Sequence, residues 1–248
     1  MVNREQISND NAQNRGRRVM RSFICFALLS ALLSTAVPLH AQAVSIPEEI
    51  EWTWEVRPPH PDPTLPNVLL LGDSITRNYF PQVTKDLAGV ANVYLMAAST
   101  CVGDPRLPSQ IAEFAAMEHV QFRVVHFNNG MHGWDYSEAQ YQQAFPDYLL
   151  DLRRTFGTSA TLIWATTTPV RADATGGATN PRVVARNVIA DDLVRAQGIA
   201  IDDQHQLMMQ HQDLHEDPVH FNPTGAAMQG DQAAKYIRTA LDNRRGRG

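Results

Sequence analysis

The sequence predicts an α/β protein in which helices cover both faces of a parallel β-sheet. From residue 67 onward, short uninterrupted apolar runs alternate with segments of helical length. Apolar runs without polar alternation indicate strands that are buried on both faces, as the strands of a parallel sheet are. The 248-residue length and the 44% hydrophobic composition suffice for the core of one such domain.

Five strand–helix units follow one another between residues 67 and 242. The predicted strands are residues 68–71, 91–97, 122–127, 161–167 and 199–202. The predicted helices are residues 77–87, 109–118, 137–154, 180–197 and 222–241. Ser137 with Gln140 predicts a capping box, and Asn180 and Asn222, each followed by proline, predict two further helix starts. This succession indicates a flavodoxin-like, three-layer α/β/α sandwich around a five-stranded parallel sheet.

Residues 1–43 are predicted to be a signal peptide with a polar N-terminal extension. A cluster of arginines precedes an apolar stretch at residues 23–33, and Ala41-Gln42-Ala43 completes a secretory cleavage pattern. The stretch is shorter than the roughly 20 residues that a membrane-spanning helix needs, which makes an anchor the weaker alternative. We therefore expect a secreted or periplasmic protein whose mature chain begins near Val44. Met20 is an alternative start to Met1.

Residues 44–66 are predicted to form a proline-rich arm that lies across a catalytic domain at residues 67–248. Because proline lacks a backbone N–H, we expect the arm to be extended but to stay outside the β-ladder. The arm also contains Trp52 and Trp54. We expect both rings to pack against the domain, and stacking on carbohydrate is the alternative.

The overall charge and the cysteine content exclude some partners and one kind of covalent cross-link. The net charge is −5 and no basic block is present, which argues against nucleic acid as a partner. Once the predicted signal peptide is removed, Cys101 is the only cysteine, so an internal disulfide is excluded. The oligomeric state is not indicated by the sequence.

The best-defined chemical signal is Gly72-Asp73-Ser74-Ile75, directly after the first predicted strand. Ligands of open α/β sheets bind outside the carboxyl ends of the strands, where Ser74 lies. Thr76 excludes the Gly-x-Ser-x-Gly elbow of α/β-hydrolases.

Asp217 and His220 follow the last predicted strand and are three residues apart. A serine nucleophile needs a base and a carboxylate that orients the base, and these two residues fit those roles. A surface histidine with a capping aspartate is the structural alternative.

Gly72-Asp73-Ser74-Ile75, together with Asp-x-x-His before an aromatic residue and Asn-Pro, resembles the first and fifth motifs of the SGNH (GDSL-type) hydrolases. The resemblance covers residues 67–242. It implies that Ser74 is the nucleophile, His220 the general base and acid, and Asp217 the orienting carboxylate. It also implies hydrolysis of small acyl esters, often acetyl groups on carbohydrates, without a cofactor. The alternatives are acyl transfer, lipid-ester hydrolysis, and a carbohydrate-binding relative that has lost turnover.

The middle motifs of the chain resemble that family less closely. The third family motif is Gly-x-Asn-Asp, and aligning its glycine with Gly130 puts His132 at the asparagine. The resemblance implies that the backbone N–H groups of Ser74 and Gly103 hold the oxyanion. His132 is expected to assist them, because a neutral imidazole N–H can donate a hydrogen bond. Asn129 or Asn128, at the end of the preceding strand, is the rival for this donor role, and a polar turn of purely structural asparagines is the remaining alternative.

Other polar residues near the same edge of the predicted sheet are candidates for binding substrate. They are Asp73, Arg77, Asn128 and Thr168. Residues 172–179, rich in Gly, Ala and Thr, are expected to form a loop that shapes access. The histidines between residues 205 and 220 lack the spacing of a metal motif, so no metal is predicted. The expected partner is therefore a small-molecule or carbohydrate ester, with no nucleic acid and no stable membrane insertion.

Overall fold

A computed structural model describes residues 44–245 of the chain, with side chains described as far as residue 243. The predicted signal peptide and its cleavage site at Ala43 lie outside the described residues. The described residues belong to one compact unit. Within the described part of the chain, no helix combines the length and the apolar character that a membrane span requires.

Six strands form a single sheet. They are β1 (Thr53–Val56), β2 (Asn67–Gly72), β3 (Asn92–Ala98), β4 (Phe122–Phe127), β5 (Thr161–Ala165) and β6 (Ala200–Asp202). Their order is β1-β3-β2-β4-β5-β6, and all neighbours from β3 to β6 are parallel. The predicted five-stranded parallel sheet of flavodoxin-like order is therefore confirmed, with one additional strand at its edge.

Helices cover both faces of the sheet, which confirms the three-layer sandwich. They are α1 (Ser74–Asp86), α2 (Arg106–Glu118), α3 (Glu138–Phe156), α4 (Asn180–Ala196), α5 (Gln204–Met209) and α6 (Pro223–Arg245). Successive side chains of β2 point to opposite faces. Leu69 and Leu71 pack with α2, α3 and α4, whereas Val68 and Leu70 pack with α1 and α6. Each of these buried side chains contributes about 1.5–3 kcal/mol by leaving water.

The predicted helix starts are mostly confirmed. Ser137 and Gln140 form the capping box of α3. Asn222 caps α6 through its Oδ1 atom, which accepts two backbone N–H groups. Asn180 is not a cap: Thr179 holds that position, and the Asn180 amide instead exchanges two hydrogen bonds with the backbone of Val170. Asn180 thereby fixes the loop between β5 and α4.

Three further expectations about local structure are wrong. The second helix is expected from residue 109 but begins at Arg106. The arm was expected to stay outside the sheet, but Thr53–Val56 pairs antiparallel with β3. This is possible because the prolines of the arm lie on either side of these residues, which keep their N–H groups. The first helix was expected from residue 77 but begins at Ser74, because Asp73 Oδ1 accepts the Ile75 N–H at 2.9 Å.

Candidate active site

Ser74, His220 and Asp217 form a continuous chain of hydrogen bonds at the carboxyl edge of the sheet. Ser74 Oγ lies 2.7 Å from His220 Nε2, and His220 Nδ1 lies 2.8 Å from Asp217 Oδ2. An ionised carboxylate only accepts hydrogen bonds, so we assign the Nδ1–H of neutral His220 to Asp217. His220 Nε2 then accepts the Ser74 hydroxyl. In this arrangement the imidazole can take the serine proton as the oxygen attacks.

Asp217 also braces the loop that carries His220. Its Oδ1 accepts the backbone N–H groups of Val219 and His220, each at 2.7 Å. Burial raises the pKa of Asp217, but the hydrogen bonds from these backbone groups and from the His220 ring outweigh burial and lower it to about 2. Asp217 is therefore ionised at neutral pH, which is the state that orients and stabilises an imidazolium.

Ser74 owes its position to the tight turn between β2 and α1. A Cβ added at Gly72 would lie 2.1 Å from Thr76 Oγ1, so no larger residue fits this turn without a shift. Ser74 is the first residue of α1, and the N–H groups of a first helical turn have no partner within the helix. The Ser74 N–H therefore remains available, at the end of the helix where negative charge is favoured.

A cavity of about 400 Å³ opens in front of Ser74 and His220. The rest of its wall comes from the arm, from the loops after β4 and β5, and from the residue before His220. These residues are Glu48, Glu49, Met131, His132, Trp134, Asp135, Thr175, Gly176, Ala178 and Val219. The loop at residues 172–179 thus lines the site, as expected. A larger cavity of about 510 Å³ lies near Asn67 and Gln121, at the opposite end of the strands, and has no triad residue in its wall.

His132 lines the same cavity and is held by a carboxylate of the arm. Its Nδ1 lies 2.9 Å from Glu48 Oε2, and Glu48 Oε1 accepts the Gly133 N–H at 2.8 Å. The Trp52 ring meets the imidazole in an edge-to-face contact, with centroids 5.9 Å apart. Burial lowers the pKa of His132, but the hydrogen bond to Glu48 and the nearby negative charges, that of Asp73 first among them, outweigh burial and raise it.

The other two predicted oxyanion donors lie outside the cavity wall. The Asn129 amide braces the loop after β3: Oδ1 accepts the Val102 N–H at 2.7 Å and Nδ2 donates to the Thr100 carbonyl at 3.0 Å. Gly103, with a φ of +102°, packs beside Tyr136, where an added Cβ would lie 3.4 Å from the ring. Their roles as oxyanion donors stay predictions.

The four residues predicted to bind substrate lie near Ser74 but not in the cavity wall. They are Asp73, Arg77, Asn128 and Thr168. Arg77 stacks over the rings of Trp52 and Trp54, 5.6 and 5.1 Å from their centroids. Asn128 donates to the Ala165 carbonyl and to Thr167 Oγ1, and Thr168 is buried. In the described structure these side chains therefore support the site from behind or beside it.

The sequence did not indicate Glu48 and Trp134 as residues of the site. Glu48 lies in a segment without a motif, and only its proximity in space to His132 reveals it. Burial raises the pKa of Cys101 to about 12, so its thiol stays protonated and is a poor nucleophile. Among residues 44–243, no three His, Cys, Asp or Glu side chains are grouped as a metal ion would require.

Comparison with solved structures identifies similar folds, whereas comparison with known sequences finds no match. No protein-family model matches the chain, and no curated protein matches it. A proposed SGNH hydrolase from Slackia heliotrinireducens is similar, with a TM-score of 0.56 and 17% identity over 70% of this chain and 100% of that chain. The aryl esterase of M. smegmatis has a TM-score of 0.55 at 10% identity, over 71% of this chain and 100% of that chain.

A further similar structure is the C-terminal catalytic domain of peptidoglycan O-acetyltransferase A from Streptococcus pneumoniae. Its TM-score is 0.53 at 19% identity, over 72% of this chain and 96% of that chain. The chain has the fold of the SGNH (GDSL-type) hydrolases.

Proposed function

We propose that the protein is a serine esterase that hydrolyses small acyl esters, most readily acetyl esters, through an acyl-enzyme. The observation that carries this proposal is the hydrogen-bonded chain Ser74–His220–Asp217, with links of 2.7 and 2.8 Å, at an open cavity. The neighbours in fold support a hydrolase of the esterase or lipase kind. The mechanism follows from the chemistry of these three groups.

In the first half-reaction, Ser74 Oγ attacks the ester carbonyl carbon while His220 Nε2 takes the hydroxyl proton. The carbonyl oxygen becomes an oxyanion, which the Ser74 N–H and His132 stabilise. His220 then gives its proton to the departing alkoxide, which leaves as an alcohol. In the second half-reaction His220 deprotonates a water molecule and the hydroxide attacks the acyl-Ser74 ester. His220 then returns the proton to Ser74 Oγ as the bond to the acyl carbon breaks, and the acid is released. Asp217 stays ionised throughout.

The composition of the cavity wall supports a small acyl group on a polar alcohol. Its aliphatic part is limited to three residues, Met131, Ala178 and Val219. A long acyl chain would therefore leave much of its apolar surface in water. The remainder includes the Trp134 ring and the carboxylates of Glu49 and Asp135. Arg182 and Arg186 lie over the Trp134 ring, 5.0 and 4.0 Å from its centroid, so the carboxylates carry the argument. Hydrogen-bond acceptors in the cavity wall suit the hydroxyls of a sugar, and we propose acetylated carbohydrates as the substrates.

Acyl transfer to a sugar hydroxyl is the second candidate. The same acyl-Ser74 intermediate serves both reactions, and a hydroxyl acceptor only replaces water in the second step. The likeness to the catalytic domain of a peptidoglycan O-acetyltransferase favours it, as does a cavity of about 400 Å³ that leaves room for an acceptor. The predicted signal peptide further suggests that the enzyme acts outside the cytoplasm. An intact mass of the exported protein that still includes residues 23–33 would indicate a membrane anchor instead of a cleaved signal peptide.

The decisive experiment measures kcat/KM for p-nitrophenyl esters of increasing acyl length, followed by acetate release from acetylated oligosaccharides. We expect the highest kcat/KM for the acetate ester. An optimum at eight or more acyl carbons would instead indicate a lipid-ester hydrolase. Mass analysis of an added sugar acceptor separates hydrolysis from transfer, since only transfer adds an acetyl group to it. Absence of both products, with Ser74 unlabelled by a sulfonyl fluoride, would refute a serine hydrolase.

A further inference from the structure

Glu48 determines which nitrogen of His132 carries a proton. Hydrogen bonds from His132 and from the Gly133 backbone outweigh the effect of burial and lower the pKa of Glu48, so its carboxylate is ionised. An ionised carboxylate has no proton to give, and Nδ1 must therefore be the donor across the 2.9 Å contact. Among the described residues, His132 Nε2 has no hydrogen-bond partner. It is the nitrogen left for a ligand in the cavity.

This assignment changes what a neutral His132 could do. With its one proton on Nδ1, neutral imidazole presents a lone pair at Nε2, which repels an oxyanion. Only the imidazolium has a second N–H, at Nε2, that can donate. The neutral donor expected from the sequence therefore conflicts with the contact to Glu48.

Charged and titratable groups surround His132 on every side. They are Glu48 and Glu51 in the arm, Asp73 before α1, Arg186 in α4, and Glu49, Asp135 and His220 in the cavity wall. Asp73 is buried, and its Oδ2 atom has no hydrogen-bond partner among the described residues. Arg186, the one guanidinium in this set, is bound to the His132 carbonyl rather than to the ring. The negative charge of the carboxylates outweighs the positive charge of Arg186, so the surroundings favour the protonated form of the His132 ring.

We propose that His132 acts as an imidazolium, with Nδ1–H held by Glu48 and Nε2–H donated to the oxyanion that forms when Ser74 attacks. The proposal rests on the esterase function inferred above and deepens it. Glu48 is a positioning residue, so the arm forms part of the active site. A charge-assisted hydrogen bond of this kind is about twice as strong as a neutral one. The two histidines of the cavity then work in opposite states, His220 neutral and His132 charged.

The pH dependence of kcat for p-nitrophenyl acetate tests this pairing. Turnover rises with pH as the general base loses its proton, and it falls again as pH passes upward through the raised pKa of His132 and the Nε2–H is lost. In His132→Asn the amide donor has no proton to lose, so the alkaline limb should disappear while the acid limb remains. In Glu48→Gln we expect kcat to fall by roughly 10- to 100-fold and the alkaline limb to move to lower pH.

A double-mutant comparison shows whether Glu48 acts through His132. In the His132→Asn background, Glu48→Gln should change kcat by less than about threefold, because the group that it positions is gone. The control is Glu55→Gln, an exposed carboxylate of β1 without a described hydrogen bond, which should keep wild-type kcat and both limbs. An equal loss from Glu48→Gln in both backgrounds, or an alkaline limb that survives in His132→Asn, overturns the proposal.

Labelling of the full-length protein separates this proposal from the underlying function. Phenylmethylsulfonyl fluoride sulfonylates a reactive serine with release of fluoride, and intact mass reports the adduct. A protein that is labelled at Ser74 and turns over esters, but whose wild-type profile has no alkaline limb, refutes the imidazolium alone. A protein that neither reacts nor turns over esters refutes the esterase function as well. If Glu48→Gln fails to fold, the pH profile of kcat in His132→Asn still tests the proposal, because the alkaline limb should be absent from it.

Discussion

Two histidine–carboxylate pairs contribute to the wall of one cavity, and they are built in different ways. His220 and Asp217 are three residues apart in one loop. His132 and Glu48 are 84 residues apart and join the loop after β4 to the arm. The first pair can be recognised as a pattern in the sequence, whereas the second exists only once the arm has docked. A contact within one loop therefore positions the general base, and a contact between segments distant in sequence positions the second imidazole.

The two pairs also differ in what holds the carboxylate. Asp217 accepts two backbone N–H groups from its own loop, so it stays aligned with His220 wherever that loop goes. Glu48 depends on the arm, which is fixed in part by three hydrogen bonds between the backbone of Trp52 and residue Ser99. We infer that disturbing the arm would weaken the His132 pair and leave the His220 pair in place.

The largest effect is expected from removing Ser74 Oγ, because both pairs assist the attack of this oxygen on the ester. Ser74→Ala should lower kcat by roughly 10⁴- to 10⁶-fold, because no acyl-enzyme can form. The change deletes one partly exposed hydroxyl, so thermal unfolding should be nearly unchanged. Ester turnover and thermal melting of the same preparation check this. Full activity in a variant purified free of other esterases would end the serine mechanism for both pairs.

Breaking the local pair should have the next largest effect. Asp217→Asn should lower kcat by roughly 10³- to 10⁴-fold, because an amide can accept or donate and no longer fixes the His220 tautomer. KM should change less than kcat, since Asp217 lies outside the described cavity wall. Steady-state kinetics measure both quantities. A loss below about tenfold would mean that the loop alone orients His220.

Breaking the long-range pair should cost less than breaking the local one. His132→Ala should lower kcat by roughly 10²- to 10³-fold, the usual effect of losing one oxyanion donor, with little change in KM. Asn129→Ala provides the matched comparison, because its amide is engaged with Thr100 and Val102. We expect that variant to lose stability in thermal melting more than turnover per folded molecule. The reverse result, with Asn129→Ala crippled and His132→Ala nearly silent, would assign the donor to Asn129.

Most of the fold could be predicted because its signals are local. Buried parallel strands appear as uninterrupted apolar runs, and the capping box at Ser137 depends on neighbouring residues only. β1 was missed because it is a short edge strand, with three of its four residues exposed and no apolar run. The six-residue α5 is likewise too short for a helical period to be recognised.

The part of the candidate site that depends on local motifs could also be predicted. Ser74, Asp217 and His220 lie in short motifs, and the structure brings them into one hydrogen-bonded chain. His132 was found by aligning its loop with a family motif, but the state of its ring depends on Glu48. No local pattern links these two residues, because the contact is made by the docking of β1 beside β3. Pairings of this kind require tertiary structure.

The docking of β1 has a consequence for the behaviour of the protein in concentrated solution. All seven residues of β3 are buried, and without β1 this long apolar strand would end the sheet with a row of unpaired backbone groups. Such an edge is a template for pairing with other chains and hence for aggregation. With β1 in place, the sheet ends instead in strands of four and three residues, β1 and β6. The short length of both strands, and the exposed carboxylate of Glu55 in β1, discourage further strands from adding to these edges.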